Sequence, residues 1–141
     1  MTGVQTCALP ILEGENPIRI VIDRELKLSN DLNLFNEESK TIIFNTIKSE
    51  ENNANTFVKI DFNNLIKNIL EKLYKQNIQS VIIEGGSETL QSFIDANMWD
   101  EARIFTANKT LTDGIKAPTV NGKIISEEKI GEDKLETIKN D

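Results

Sequence analysis

The chain predicts an α/β fold: a mostly parallel central sheet flanked by helices, with an antiparallel C-terminal hairpin. Three observations point to it. Short runs rich in Ile and Val end on polar residues or glycine, as interior strands do. Two intervening segments place apolar residues three and four apart, the spacing of one helical face. The last twenty residues hold two further runs parted by Gly131-Glu132-Asp133, a hairpin turn. Strands that alternate with helices lie parallel, and the closing hairpin adds an antiparallel edge.

Taken in order, Pro17 opens a strand at residues 18–23, and a second follows a polar loop at 41–46. Residues 49–55, with Glu50, Glu51, Asn52 and Asn53, read as a solvated loop, and 56–60 as a short third strand. Asp61 or Asn63 can cap the next helix, whose apolar face is Leu65, Ile66, Ile69, Leu70, Leu73 and Tyr74. Residues 80–83 read as an interior strand that stops at Glu84-Gly85-Gly86, and the following helix shows Leu90, Phe93, Ile94 and Met98 on one face. Residues 101–107 form a fifth strand, and 123–130 with 134–138 the hairpin. Trp99 reads as a core anchor between the second helix and the fifth strand.

Composition removes several function classes. At 141 residues the chain is one domain or less. A net charge of −7, with sixteen basic residues scattered among acids, argues against a nucleic-acid or anionic-membrane surface. No apolar run reaches the length of a membrane span. With no histidine and the single Cys7, a disulfide framework, a Cys/His metal site and any histidine-based triad are excluded. A reducing, cytoplasmic setting is the default. Residues 1–10 contain no Asn, Lys, Glu or Ile, the types that dominate the rest. Residues 1–11 are therefore expected to be an artefactual leader, with the domain at 12–141.

The most chemically specific stretch is 80–90. Glycines at a strand-to-helix junction let the backbone turn tightly and approach a ligand closely. The first amides of the helix lack internal partners and sit at the positive end of its dipole, which suits an anion such as a phosphate. A tight turn without a ligand remains the other reading. Asp23, Arg24 and Thr46 fall where strands end, the edge at which open α/β sheets bind ligands.

Three segments in order and spacing carry a resemblance: Asn16-Pro17-Ile18-Arg19-Ile20-Val21-Ile22-Asp23, Val81-Ile82-Ile83-Glu84-Gly85-Gly86, and Trp99-Asp100-Glu101-Ala102-Arg103-Ile104-Phe105. Over about residues 14–139 the chain resembles the reductase domain of the bifunctional riboflavin-biosynthesis deaminase/reductase, which has the dihydrofolate-reductase-like fold. The resemblance implies NADPH-dependent reduction of 5-amino-6-(5-phosphoribosylamino)uracil, the hydride going to the anomeric carbon of the opened ribose. It implies that Glu84 lies beside the substrate, and that Gly85, Gly86, Ser87, Glu88, Thr89, Leu90, Gln91 and Ser92 receive the cofactor's diphosphate. A cis Gly85–Gly86 peptide would follow the pattern of dihydrofolate reductases.

Asp23 and Arg24 then match a cofactor-binding edge. The guanidinium of Arg24 offers a fork of donors to the 2′-phosphate, unless it pairs with Glu25 instead. Thr46 would touch the adenine ribose, and Lys109 matches a family lysine after the fifth strand. A homodimer is also implied. The family's lysine-bearing first strand and its zinc deaminase half have no match here, so an N-terminally truncated, impaired fragment is expected. Two other functions stay open: a reductase of this fold acting on a pterin-like substrate, and a non-catalytic nucleotide-binding or oligomerisation module.

Overall fold

Five consecutive buried residues, Thr41-Ile42-Ile43-Phe44-Asn45, make one strand the centre of the first sheet. The computed structural model describes Gly14 and residues 16–141, so the expected leader and Cys7 lie outside the described residues. The described chain falls into two compact units that divide between Ser80 and Val81.

In the first unit, β1 (Arg19–Ile22) pairs parallel with β2 (Thr41–Asn45) in the register Arg19↔Thr41 to Ile22↔Phe44. A two-residue β3 (Glu50–Glu51) runs antiparallel to β4 (Asn55–Lys59), which itself lies parallel to β2. The sheet order is therefore β1-β2-β4-β3. A strand enclosed between neighbours and covered on both faces has no polar side to show, which is why the middle of β2, Ile42-Ile43-Phe44, is continuously apolar. Residues 49–55 are not wholly a loop. Asn52 accepts the Asn55 amide on Oδ1 at 3.0 Å and donates its own amide to the Asn55 carbonyl at 2.9 Å, so the segment folds back onto β4. Two glutamates serve well there, because charge on a sheet edge discourages pairing with another chain.

Asp61 opens the next element, its carboxylate accepting the Asn63 amide at 2.9 Å at the head of a 3₁₀ turn. Helix α1 (Leu65–Lys75) follows and buries Ile66, Ile69 and Leu73. Each such side chain contributes about 1.5–3 kcal/mol when fully removed from water. Tyr74 does not complete this stripe and is 81% exposed. One residue is about 100° of helix, so the position after Leu73 is turned away from the buried face. The helix closes through Asn77 at φ 61°, a left-handed cap that asparagine tolerates.

In the second unit, α2 (Ser87–Asp95) precedes β5 (Glu101–Thr106), β6 (Lys123–Ile130) and β7 (Asp133–Lys139). Both pairings are antiparallel and the order is β5-β7-β6, with Gly131 at φ 63° in the hairpin turn. Residues 80–83 are not a strand. Among the described residues they pair with no strand of their own unit, and Ile82 is 85% exposed. An apolar β-branched run becomes a strand only when a neighbour accepts its ladder, and within this unit β5, β7 and β6 pair only among themselves.

Met98 also lies outside its expected face. α2 stops at Asp95, the chain turns at Asn97 (φ 53°), and Met98 is half exposed. Trp99 is half-buried, and its ring edge lies against Gly122 at the start of the hairpin, where a Cβ would come within 3.1 Å of Cη2. Asn140 donates from Nδ2 to the Trp99 carbonyl at 2.8 Å and to Asn97 Oδ1 at 2.9 Å, fixing the turn before β5 to the end of β7. Among the described residues no helix is long and apolar enough to cross a membrane.

Candidate functional site

Gly86 is the N-cap of α2, with φ −63° and ψ 169°, and no side chain caps the helix. The Leu90 amide closes the first turn on the Gly86 carbonyl at 3.1 Å. The amides of Ser87, Glu88 and Thr89 come before any intrahelical acceptor and stand at the positive end of the helix dipole. The two glycines do different things. A Cβ on Gly85 would sit 3.0 Å from Thr89 Cβ, so Gly85 lets the chain close onto the first turn. A Cβ on Gly86 would meet nothing within 4 Å, so the space before the helix is open. The Gly85–Gly86 peptide is trans, since the described residues contain no cis bond, and the expected cis geometry does not occur.

The remaining residues of this stretch divide by what their side chains already hold. Glu84 and Glu88 are exposed, while Ser87, Thr89 and Leu90 are partly covered. Gln91 donates to Asp95 Oδ1 at 2.7 Å and accepts the Thr119 amide at 2.9 Å, which pins the loop before β6. Ser92 returns its hydroxyl to the Glu88 carbonyl at 2.8 Å. Lys109 is exposed in the loop after β5. Among the described residues no cluster of acids or cysteines has the geometry to hold a metal ion.

In the first unit the ends of β1 and β2 bring Asp23, Arg24 and Thr46 together. Both the amide and the hydroxyl of Thr46 donate to the Arg24 carbonyl, at 3.0 and 2.9 Å. Asp23 takes the Lys27 amide on one carboxylate oxygen and the Leu28 amide on the other, each at 3.0 Å. This clamp holds Leu26 in the left-handed region at φ 52°, a conformation costing roughly 1 kcal/mol for a residue with a Cβ. Arg24 does not pair with Glu25. Lys27 takes that carboxylate, by hydrogen bond and by charge, holding the Glu25 carboxyl below its usual range while Lys27 is itself raised. The Arg24 guanidinium is exposed, makes no ion pair among the described residues, and lies 5.6 Å from the centre of the Phe62 ring.

One arrangement lies outside the candidate residues. Asn45, fully buried at the end of β2, accepts the amides of Ile47 and Lys48 on Oδ1 at 2.8 and 2.7 Å and donates to the Ile43 carbonyl at 3.2 Å. Asp23 and Asn45 thus fasten the loop after each strand in the same way. A cavity of about 230 Å³ opens beside these loops, lined by Asp23, Leu26, Leu28, Asn30, Phe35, Lys48 and Phe57.

A parallel β1-β2-β4 core with strand-end loops, and a closing antiparallel hairpin sheet, is the architecture of dihydrofolate-reductase-like reductase domains. Within that class the chain belongs to the RibD C-terminal domain family, whose profile matches residues 3–141. It is 30% identical over 135 residues to the riboflavin biosynthesis protein RibD of Aquifex aeolicus, covering 90% of this chain and 37% of that one. Over 97 residues it is 24% identical to the 2,5-diamino-6-ribosylamino-4(3H)-pyrimidinone 5′-phosphate reductase of Archaeoglobus fulgidus, covering 64% and 44% of the two chains.

Among solved structures, the deaminase/5-amino-6-(5-phosphoribosylamino)uracil reductase of Thermotoga maritima superposes with a TM-score of 0.79 at 25% identity, over 93% of this chain and 40% of that one. The Saccharomyces reductase Rib7 shares the fold at a TM-score of 0.70 and 17% identity, over 89% and 70% of the two chains. The chain thus spans about two fifths of the length of the Aquifex and Thermotoga proteins.

Proposed function

We infer that the chain is part of an NADPH-dependent reductase that converts 5-amino-6-(5-phosphoribosylamino)uracil to its ribitylamino product in riboflavin biosynthesis. The observation that carries this reading is the uncapped N-terminus of α2, open in front of Gly86, in a chain matched almost end to end by the RibD C-terminal domain family. The names of the Aquifex, Archaeoglobus and Thermotoga proteins support the substrate class.

Each unit, taken by itself, offers donors that fit a part of the cofactor. The amides of Ser87, Glu88 and Thr89 suit a diphosphate, with no capping side chain to displace. Arg24, free of any carboxylate among the described residues, suits the 2′-phosphate. Thr46 spends its hydroxyl proton on the Arg24 carbonyl and keeps lone pairs that can accept from the adenine ribose. When bound, NADPH supplies a hydride to the anomeric carbon of the opened ribose. Glu84, exposed just before the glycine pair, is the substrate-binding group, its carboxylate accepting hydrogen bonds from the aminopyrimidine or the sugar. A homodimer working in the cytoplasm, apart from nucleic acid and membrane, completes the reading.

Calorimetric titration of the full chain with NADPH and NADH tests it. Saturable binding with NADPH preferred is the expected result. A folded sample that binds neither dinucleotide would overturn the reading and favour a non-catalytic module.

A further inference from the structure

Asn121 and Gly122 form the chain's one Asn-Gly pair, and every other asparagine precedes a residue that carries a Cβ. The pair lies at the entry to β6 and both residues are exposed. Among the described residues the Gly122 amide donates to no backbone carbonyl, and the Asn121 side chain makes no hydrogen bond. Other asparagines are occupied: Asn45 holds the Ile47 amide, Asn52 the Asn55 amide, and Asn140 the Trp99 carbonyl. An unbonded nucleophile therefore follows an unbonded side-chain amide on one exposed stretch of backbone. Glycine adds no Cβ to obstruct their approach.

We propose that Asn121 is a site of spontaneous deamidation and isoaspartate formation in the folded chain. The Gly122 nitrogen attacks Cγ of Asn121 and forms an N–Cγ bond. The Cγ–Nδ2 bond breaks, and ammonia leaves with the proton that Gly122 gives up. Tethering the two groups in a five-membered ring supplies the high effective concentration of an intramolecular reaction. Water then opens the succinimide. Breaking the bond to Cγ leaves an ordinary aspartate, whereas breaking the bond to the main-chain carbonyl carbon leaves isoaspartate, with Cβ now part of the backbone. No oxidant, metal or coenzyme takes part.

The second product matters because of what Gly122 touches. A Cβ there would come within 2.5 Å of the Lys139 carbonyl oxygen, 2.9 Å of Ile138 Cγ2 and 3.1 Å of Trp99 Cη2, so the segment has no slack on that side. The chain is pinned on both sides of Asn121. Gln91 accepts the Thr119 amide at 2.9 Å, and Lys123 is already in register with Lys139. One extra backbone atom between these points displaces the start of β6 and uncovers the Trp99 ring. The new carboxylate also adds a negative charge to a chain that carries −7.

The test ages the full chain at neutral pH, well below its melting transition, and follows residue 121 by peptide mapping with mass spectrometry. Trp99, the only tryptophan, reports on the packing through its emission. Asn121 should convert within about tenfold of the rate in the free peptide spanning residues 119–123, a small difference in barrier. The emission should shift in step with isoaspartate. Asn121→Gln should keep both mass and emission constant over the same interval, because its extra methylene makes ring closure slow. Asn121→Asp carries the charge without the extra backbone atom, so its emission should start at the wild-type value. An Asn121 that stays intact in the folded chain while converting in urea overturns the proposal, and so does conversion located at other asparagines first. Isoaspartate that accumulates with no change in emission overturns the predicted displacement of β6.

Discussion

Replacing Gly86 with alanine separates a binding role from a structural one, because the residue is free of strain and of neighbours. Its φ of −63° and ψ of 169° are open to any L-residue, and the added methyl would touch nothing within 4 Å. Two small opposing terms govern stability. Loss of unfolded-state freedom favours alanine by about 0.4–1 kcal/mol, and the poorer N-cap opposes it by roughly the same amount. The melting temperature should therefore move by no more than about 3 °C. Binding responds differently, since the methyl stands where a diphosphate would approach the amides of Ser87 to Thr89. Losing one charge-assisted hydrogen bond costs about 1.5–3 kcal/mol, or roughly 10- to 150-fold in affinity. Gly85→Ala is the control. Its Cβ would crowd Thr89 at 3.0 Å, so it should melt lower, by about 1–3 kcal/mol of stability. Calorimetry with NADPH beside a thermal scan reads both quantities. A folded Gly86→Ala protein that binds NADPH within a factor of about two of wild type would refute the phosphate site.

Gly122→Ala should be far more damaging than its loop position suggests. A Cβ there would fall 2.5 Å from the Lys139 carbonyl oxygen and 2.9 Å from Ile138 Cγ2, so backbone must move, and the loss should reach or exceed about 3 kcal/mol in urea unfolding. Asn45→Leu keeps the volume but leaves the Ile47 and Lys48 amides without their acceptor. A cost of about 1–3 kcal/mol per group is expected, with faster hydrogen exchange at both amides. Glu25 should titrate by NMR below a free glutamate, because Lys27 favours its ionised form. With the folded value depressed, the contribution of the pair is present above the ordinary carboxylate range and fades as pH falls through the lowered value. Lys27→Ala should return Glu25 to the ordinary range.

Legibility followed how locally each feature is determined. β2, α1 and the hairpin were readable because burial on both faces, a 3.6-residue stripe and a glycine-containing turn each leave a mark within one segment. Tyr74 misled because a stripe can be extended by one residue on paper, whereas the helix rotates that residue into water. Glu50 and Glu51 misled in the opposite sense. Their composition is that of a loop, and only the turn at Asn52 places them on a sheet edge. Residues 80–83 show the limit most clearly. Their propensity is that of a strand, but pairing depends on a partner elsewhere in the chain, which propensity cannot report.

The site was legible as positions and much less so as roles. Asp23, Arg24 and Thr46 do converge, yet Asp23 engages both carboxylate oxygens with backbone amides and Thr46 gives its proton to the Arg24 carbonyl. These two therefore shape the edge whether or not they also touch a ligand. Asn45, passed over as the polar end of a strand, performs the same clamp for the next loop. The signal was present in both cases: an apolar run that ends on Asp or Asn, whose short side chain reaches backbone amides two to five residues ahead. With that pattern read as an anchor, the proposed recognition of the coenzyme falls to the cation beyond it, Arg24. Clamped loops reduce the ordering that binding would otherwise require, so a single arginine on them can discriminate a phosphate with little loss of entropy.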